Sequence, residues 1–162
     1  MSNTKIDIIL NGKEDGLCKL YYLNGQLEAE IYYRDGKPHG LVKFYNHDGQ
    51  LESEANYKNG IKDGIVKSYF ENGQLEQKAN YKNGLKSGLV KSYHENGRLK
   101  QEVNHIYNTS DRLVKFYNTN GQLKQEVNYK DGKEHGVVKF YDHNGQLEYK
   151  INYQDGEEID NF

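Results

Sequence analysis

The residues that could do chemistry are scattered rather than clustered. The six histidines are His39, His47, His94, His105, His135 and His143, and no pair of them has the spacing of a metal site. Cys18 is the single cysteine, which excludes both an internal disulfide and a thiolate cluster. Asp142-His143-Asn144-Gly145 has only a loose likeness to a calcium loop, because the alternating acids and the distal Glu of that motif are missing. Carboxylates such as Glu52, Glu54, Glu76, Glu102 and Glu126 return periodically, so they read as solvated positions of a repeat and not as an acid/base pair. No nucleophile motif or phosphate-cradling loop is present, since turns account for the glycines. The expectation is a non-enzyme with no catalytic, cofactor-binding or metal residues.

Residues suited to binding stand out only against a repeat. Written in rows of 24 from Gly16, the chain falls into six blocks, 16–39, 40–63, 64–87, 88–111, 112–135 and 136–159, with no insertion. All 17 glycines then occupy three columns, while Tyr21, Tyr45, Tyr69, Tyr93, Tyr117 and Tyr141 fill a fourth and Leu27, Leu51, Leu75, Leu99, Leu123 and Leu147 a fifth. Residues 1–15, including Gly12, form a partial N-terminal repeat and edge strand, and 160–162 a tail, so one repeat domain is expected over 1–162.

Block four breaks this pattern. Where its siblings have Tyr-Lys-Asn-Gly it has His105-Ile106-Tyr107-Asn108, and Arg112 replaces a column glycine. Without glycine, either the loop changes or Asn108 adopts a left-handed conformation. Drift in a surface loop is one reading; a recognition loop with Ile106, Tyr107, Asn108 and Arg112 as contacts is the other. In blocks three and four, the column holding Leu20, Phe44, Phe116 and Phe140 becomes Ser68 and Ser92, while Phe70 and His94 enter the neighbouring column beside Tyr69 and Tyr93. A compensating repack or an exposed Phe70 in a partner footprint would explain that exchange.

The elements that must carry these residues are short strands. Each block holds two turn signals and two apolar-polar segments, which points to a β-hairpin. Asn46-His47-Asp48-Gly49 suits a type I turn with a left-handed glycine and bulge. The register expected from it sets Tyr45 against Leu51, Lys43 against Ser53 and Leu41 against Ala55. Alternation would then place the Tyr, Leu and Lys columns on one face with Ala55, and Val42 with the carboxylates on the other. The expected fold is all-β, an elongated single-layer antiparallel sheet of tandem 24-residue hairpins, wet on both faces. A parallel β-helix is the alternative.

Composition limits the function. Hydrophobic residues make up 35% and mean hydropathy is -1.04, yet 15 tyrosines argue against disorder. A net charge of -2 lacks the basic footprint of a nucleic-acid binder. No run reaches the length of a membrane helix and no secretory leader is evident, so a cytoplasmic location is expected.

The string Asp35-Gly36-Lys37-Pro38-His39-Gly40-Leu41-Val42-Lys43-Phe44-Tyr45, with Asp48-Gly49-Gln50-Leu51 and Tyr57-Lys58-Asn59-Gly60, resembles the variant MORN repeat of bacterial proteins. The resemblance covers nearly the whole chain. It implies a hairpin-repeat sheet and, because members of this variant include antitoxins or immunity proteins, a protein partner that is a toxin. A structural scaffold, contacting membrane lipids or another copy of itself, is the alternative function. A weak homodimer through residues 5–10 is also expected, because Lys5-Ile6-Asp7-Ile8-Ile9-Leu10 forms an edge of high β propensity.

Overall fold

Two turn chemistries alternate along the chain, each set by a short polar stretch ending in glycine. At Asn46–Gly49 the Gly49 amide donates to Asn46 O and the Asn46 amide to Gln50 O, both at 2.9 Å. Gly49 sits at φ +79, so this is the expected type I turn with a left-handed glycine. The Asn46 side chain holds it from within, accepting from the amides of Asp48 at 3.1 Å and Gln50 at 2.9 Å. At the opposite end, Asn59 (φ 51) and Gly60 (φ 83) form a two-residue loop between the paired Lys58 and Ile61. Two consecutive positive φ values define the type I′ turn, whose twist matches that of the strands.

The computed structural model describes residues 5–8, 15–105 and 111–159. Ile9, Leu10, Gly12, Ile106, Tyr107, Asn108 and the tail 160–162 lie outside them. The chain divides into two compact units, Met1–Leu85 and Lys86–Phe162. In the first, Lys5–Ile8, Gly16–Tyr21, Leu27–Arg34, Lys37–Pro38, Gly40–Tyr45, Leu51–Lys58, Ile61–Tyr69 and Leu75–Lys82 pair in chain order, the two-residue segment and the strand after it lying together along the strand before them. In the second, Gly88–Tyr93, Leu99–His105, Arg112–Tyr117, Leu123–Lys130, Lys133–Glu134, Gly136–Tyr141, Leu147–Gln154 and Glu157–Ile159 do the same. Every one of these pairings is antiparallel, which overturns the parallel β-helix alternative. The fold is all-β, built of tandem hairpins, with no helix among the described residues.

The register departs from expectation by one residue. Tyr45 does face Leu51, but Phe44 faces Ser53, Lys43 faces Glu54, Val42 faces Ala55 and Leu41 faces Asn56. Glu52 is the extra residue of a bulge, and the same irregularity follows Leu27, Leu75, Leu99, Leu123 and Leu147. An inserted residue reverses the parity of everything beyond it, so the face assignment must be corrected. Val42 and Ala55 share a face with Phe44 and Tyr57, whereas Lys43, Tyr45, Leu51 and Glu54 share the other.

That pairing makes a core. Val42, Val127 and Val138 retain 2% exposure or less, and Ala29, Ala55, Ala79, Val90 and Val114 are also buried. In the first unit Leu20, Tyr33, Phe44 and Tyr57 pack against Ala29, Ile31 and Val42. The Val/Ala row is therefore not wet. Large rings set around small and branched side chains cover it, which a sheet can do without a second layer.

Candidate functional site

With the parity corrected, the opposite face carries a charge ladder. In the first unit the cross-strand partners run Lys19–Glu30–Lys43–Glu54–Lys67 and end in the like-charged pair Lys67–Lys78. The second unit repeats the order as Lys91–Glu102–Lys115–Glu126–Lys139 and ends in Lys139–Lys150. Lys19 Nζ lies 2.9 Å from Glu30, Lys67 2.6 Å from Glu54, Lys91 2.8 Å from Glu102, and Lys115 and Lys139 each 3.1 Å from Glu126.

The tyrosine column completes the ladder. The hydroxyls of Tyr45, Tyr69, Tyr117 and Tyr141 donate to Glu30, Glu54, Glu102 and Glu126 at 3.2, 2.9, 2.9 and 3.0 Å. These glutamates are consequently not the freely solvated positions expected. The Lys67 ammonium, opposed by partial burial and aided by Tyr69, holds the Glu54 carboxyl below its ordinary value; Lys91 does the same for Glu102 and Lys19 for Glu30. At Glu126 burial pushes upward, but Lys139, Lys115 and Tyr141 together outweigh it. Burial, then the bond to Glu102, pushes the Tyr117 hydroxyl up to about 12. With lysine, carboxylate and phenol engaged together, this array braces the face across its strands.

Beside the ladder lies a row of exposed apolar residues. Leu17, Tyr32, Leu41 and Ile65 in the first unit are 38–44% exposed, and Leu89 and Val137 in the second 45% and 40%. Leu17, Leu41, Ile65, Leu89 and Val137 sit two residues before the ladder lysines, and Tyr32 faces Leu17, so alternation and pairing put all six on its face.

The candidate contact residues divide among these features. Tyr69 belongs to the ladder, and Tyr93 occupies the corresponding position in the second unit, facing Leu99. Phe70 is half-buried, not exposed, because it opens a turn in which its amide donates to Gln74 O and its carbonyl accepts from the Gly73 amide. His94 opens the corresponding turn, and its Nε2 lies 3.2 Å from Tyr117 O, donating there in the Nε2–H tautomer. Tyr22 does the same in the first unit, donating to Tyr45 O at 2.6 Å, with its ring against His47. This column joins neighbouring turns. Arg112 pairs with His105 and Tyr129, its guanidinium 4.9 Å from the Tyr129 ring centroid. Burial and the nearby Lys86 and Arg112 charges lower the His105 pKa. Among the described residues no group of three or more His, Cys, Asp or Glu is placed to hold a metal ion.

Sequence reasoning missed the ladder and the apolar row, though a signal was present. The expected register, with a bulge at the turn glycine but none at Glu52, set the two apolar mid-strand columns, Val42 and Ala55, on opposite faces, where neither would bury.

The MORN repeat variant family matches residues 14–35, 38–59, 62–83, 86–107, 113–131 and 134–155. The chain therefore belongs to the MORN repeat variant family, a class of repeat-based interaction or scaffold modules. The widest gap between matched segments, 108–112, holds the departure at Arg112. No curated protein matches the chain. Among solved structures, the crystal structure of a GtfA/B complex bound to UDP and GlcNAc is similar at 18% identity and a TM-score of 0.27, covering 80% of this chain and 24% of that one.

Proposed function

We propose that the chain works by binding a protein, not by catalysis, and that this protein is a bacterial toxin it neutralises. The observation that carries the binding reading is the contrast within one face: the ladder's glutamates are paired with its lysines, while Leu17, Leu41 and Ile65 remain in water beside them. Exposed apolar groups in register are what an interface desolvates. The toxin reading adds the resemblance to antitoxins of this repeat variant. Affinity capture from the native host is expected to recover one stoichiometric protein that arrests growth when expressed alone and is rescued by this chain. Replacing Ile106, Tyr107 and Arg112 by Ala is expected to weaken that complex without altering the fold. Capture of no growth-arresting protein defeats the toxin reading, and unchanged affinity in the folded triple variant removes the His105–Arg112 segment from the interface.

A further inference from the structure

The apolar row of the first unit has a spacing and a rim that specify its occupant. Leu17, Leu41 and Ile65 lie on alternate strands, and at ~4.8 Å per strand they recur every ~9.6 Å. Tyr32 faces Leu17, Asn56 faces Leu41 and Asn80 faces Ile65, and each apolar residue stands two before a lysine of the continuous run Lys19–Glu30–Lys43–Glu54–Lys67, which keeps the row in line across the strands. An extended peptide crossing them would offer same-side residues about 6.7 or 13 Å apart, which miss that interval. An α-helix advances about 10.5 Å in seven residues and returns to the same face, which meets it.

The rim carries a net positive charge. On one side of the row exposed Arg34, Lys58 and Lys82 outnumber Asp15 and Asp63, whose carboxylates accept from the Asp35 and Asn83 amides; on the other is the ladder, finishing in Lys67–Lys78. Glu30 and Glu54 are neutralised within that ladder. Positive charge flanking an apolar line one residue wide complements a cylinder with an apolar stripe and acidic shoulders.

We propose that this face of the first unit docks an acidic amphipathic α-helix of a partner protein, laid across the strands with apolar residues seven apart over Leu17, Leu41 and Ile65. The proposal rests on the interaction-module reading and specifies its surface. The test uses the full chain and a designed, fluorescently labelled peptide of roughly 20 residues with leucines at heptad spacing and glutamates on both shoulders. Its controls are a scrambled peptide and a version with lysine shoulders. The expected result is saturable anisotropy for the acidic helix alone, weakened by salt. Leu41→Asn with Ile65→Asn should cost about tenfold or more in affinity. Lys58→Glu with Lys82→Glu should turn preference toward the lysine peptide. An unchanged urea midpoint verifies that each variant is folded. The proposal is overturned by no binding of the designed helix, by equal binding of the scramble, or by undiminished binding to the Leu41/Ile65 variant. Capture by anionic vesicles or concentration-dependent self-association, each abolished by that same variant, also overturns it. Failure of the module reading shows separately, as no partner captured from the host.

Discussion

The strand junctions that lead into Gly64 and into Arg112 reach the same ladder register by different means. The first uses the Asn59-Gly60 loop and then an irregularity, since the strand pairs Tyr57 with Lys62 but returns to register only at Ala55–Val66. Gly64 absorbs the extra length at φ +110. At the second, pairing runs unbroken from Val103–Val114 through Asn104–Leu113 to His105–Arg112. Arg112 is not among the residues with positive φ, so it has no need to be glycine. The glycine column is thus a consequence of the bulge: where the ladder continues straight, a side chain is admitted, and it lies across Tyr129. Beyond both junctions the register is the same, Glu54–Lys67 and Glu102–Lys115.

Transplanting the second junction's residue into the first should break this comparison most strongly. A Cβ at position 64 would meet Asn56 Cβ at 3.1 Å in a backbone conformation L residues avoid. Gly64→Arg is expected to cost about 2–3 kcal/mol, read from the urea midpoint. The ladder should respond alike on both sides. Glu54→Gln and Glu102→Gln each remove a carboxylate bonded to a lysine and a tyrosine, and each is expected to cost about 1.5–3 kcal/mol. Since these carboxyls titrate below their ordinary value when folded, their contribution is complete above about pH 4.5 and is lost as pH falls through the folded values. Acid unfolding should therefore be less steep in either variant than in the parent.

Arg112→Gly reverses the substitution, losing the Tyr129 contact and adding backbone freedom, for about 1 kcal/mol. A gain in stability would show that Arg112 is held there by a partner and not by the fold. The smallest effect belongs to His105. Its folded pKa is lowered, so it adds stability above the ordinary histidine value near pH 6.5 that is lost as pH drops toward the folded one. His105→Tyr, the residue at position 57, should flatten that part of the stability profile.

Much of this was legible in the chain. The 24-residue period, the strands and the Asn46–Gly49 turn follow from local chemistry, because glycine and Asn/Asp act on their own backbone within two or three residues. The departure at Arg112 was visible as a missing glycine, but its physical meaning, a straightened register, was not.

What the amino-acid order determined by itself was therefore the hairpin repeat and its turns. Which face is core was decided only in the folded sheet, because the bulge at Glu52 depends on pairing between strands. A glutamate with ordinary strand neighbours gives no local sign of being the extra residue. It is squeezed out because only that register lets Val42 bury against Ala55 while Lys43 meets Glu54. The same parity places Leu17, Leu41 and Ile65 beside the ladder, so the candidate binding face exists only through tertiary pairing.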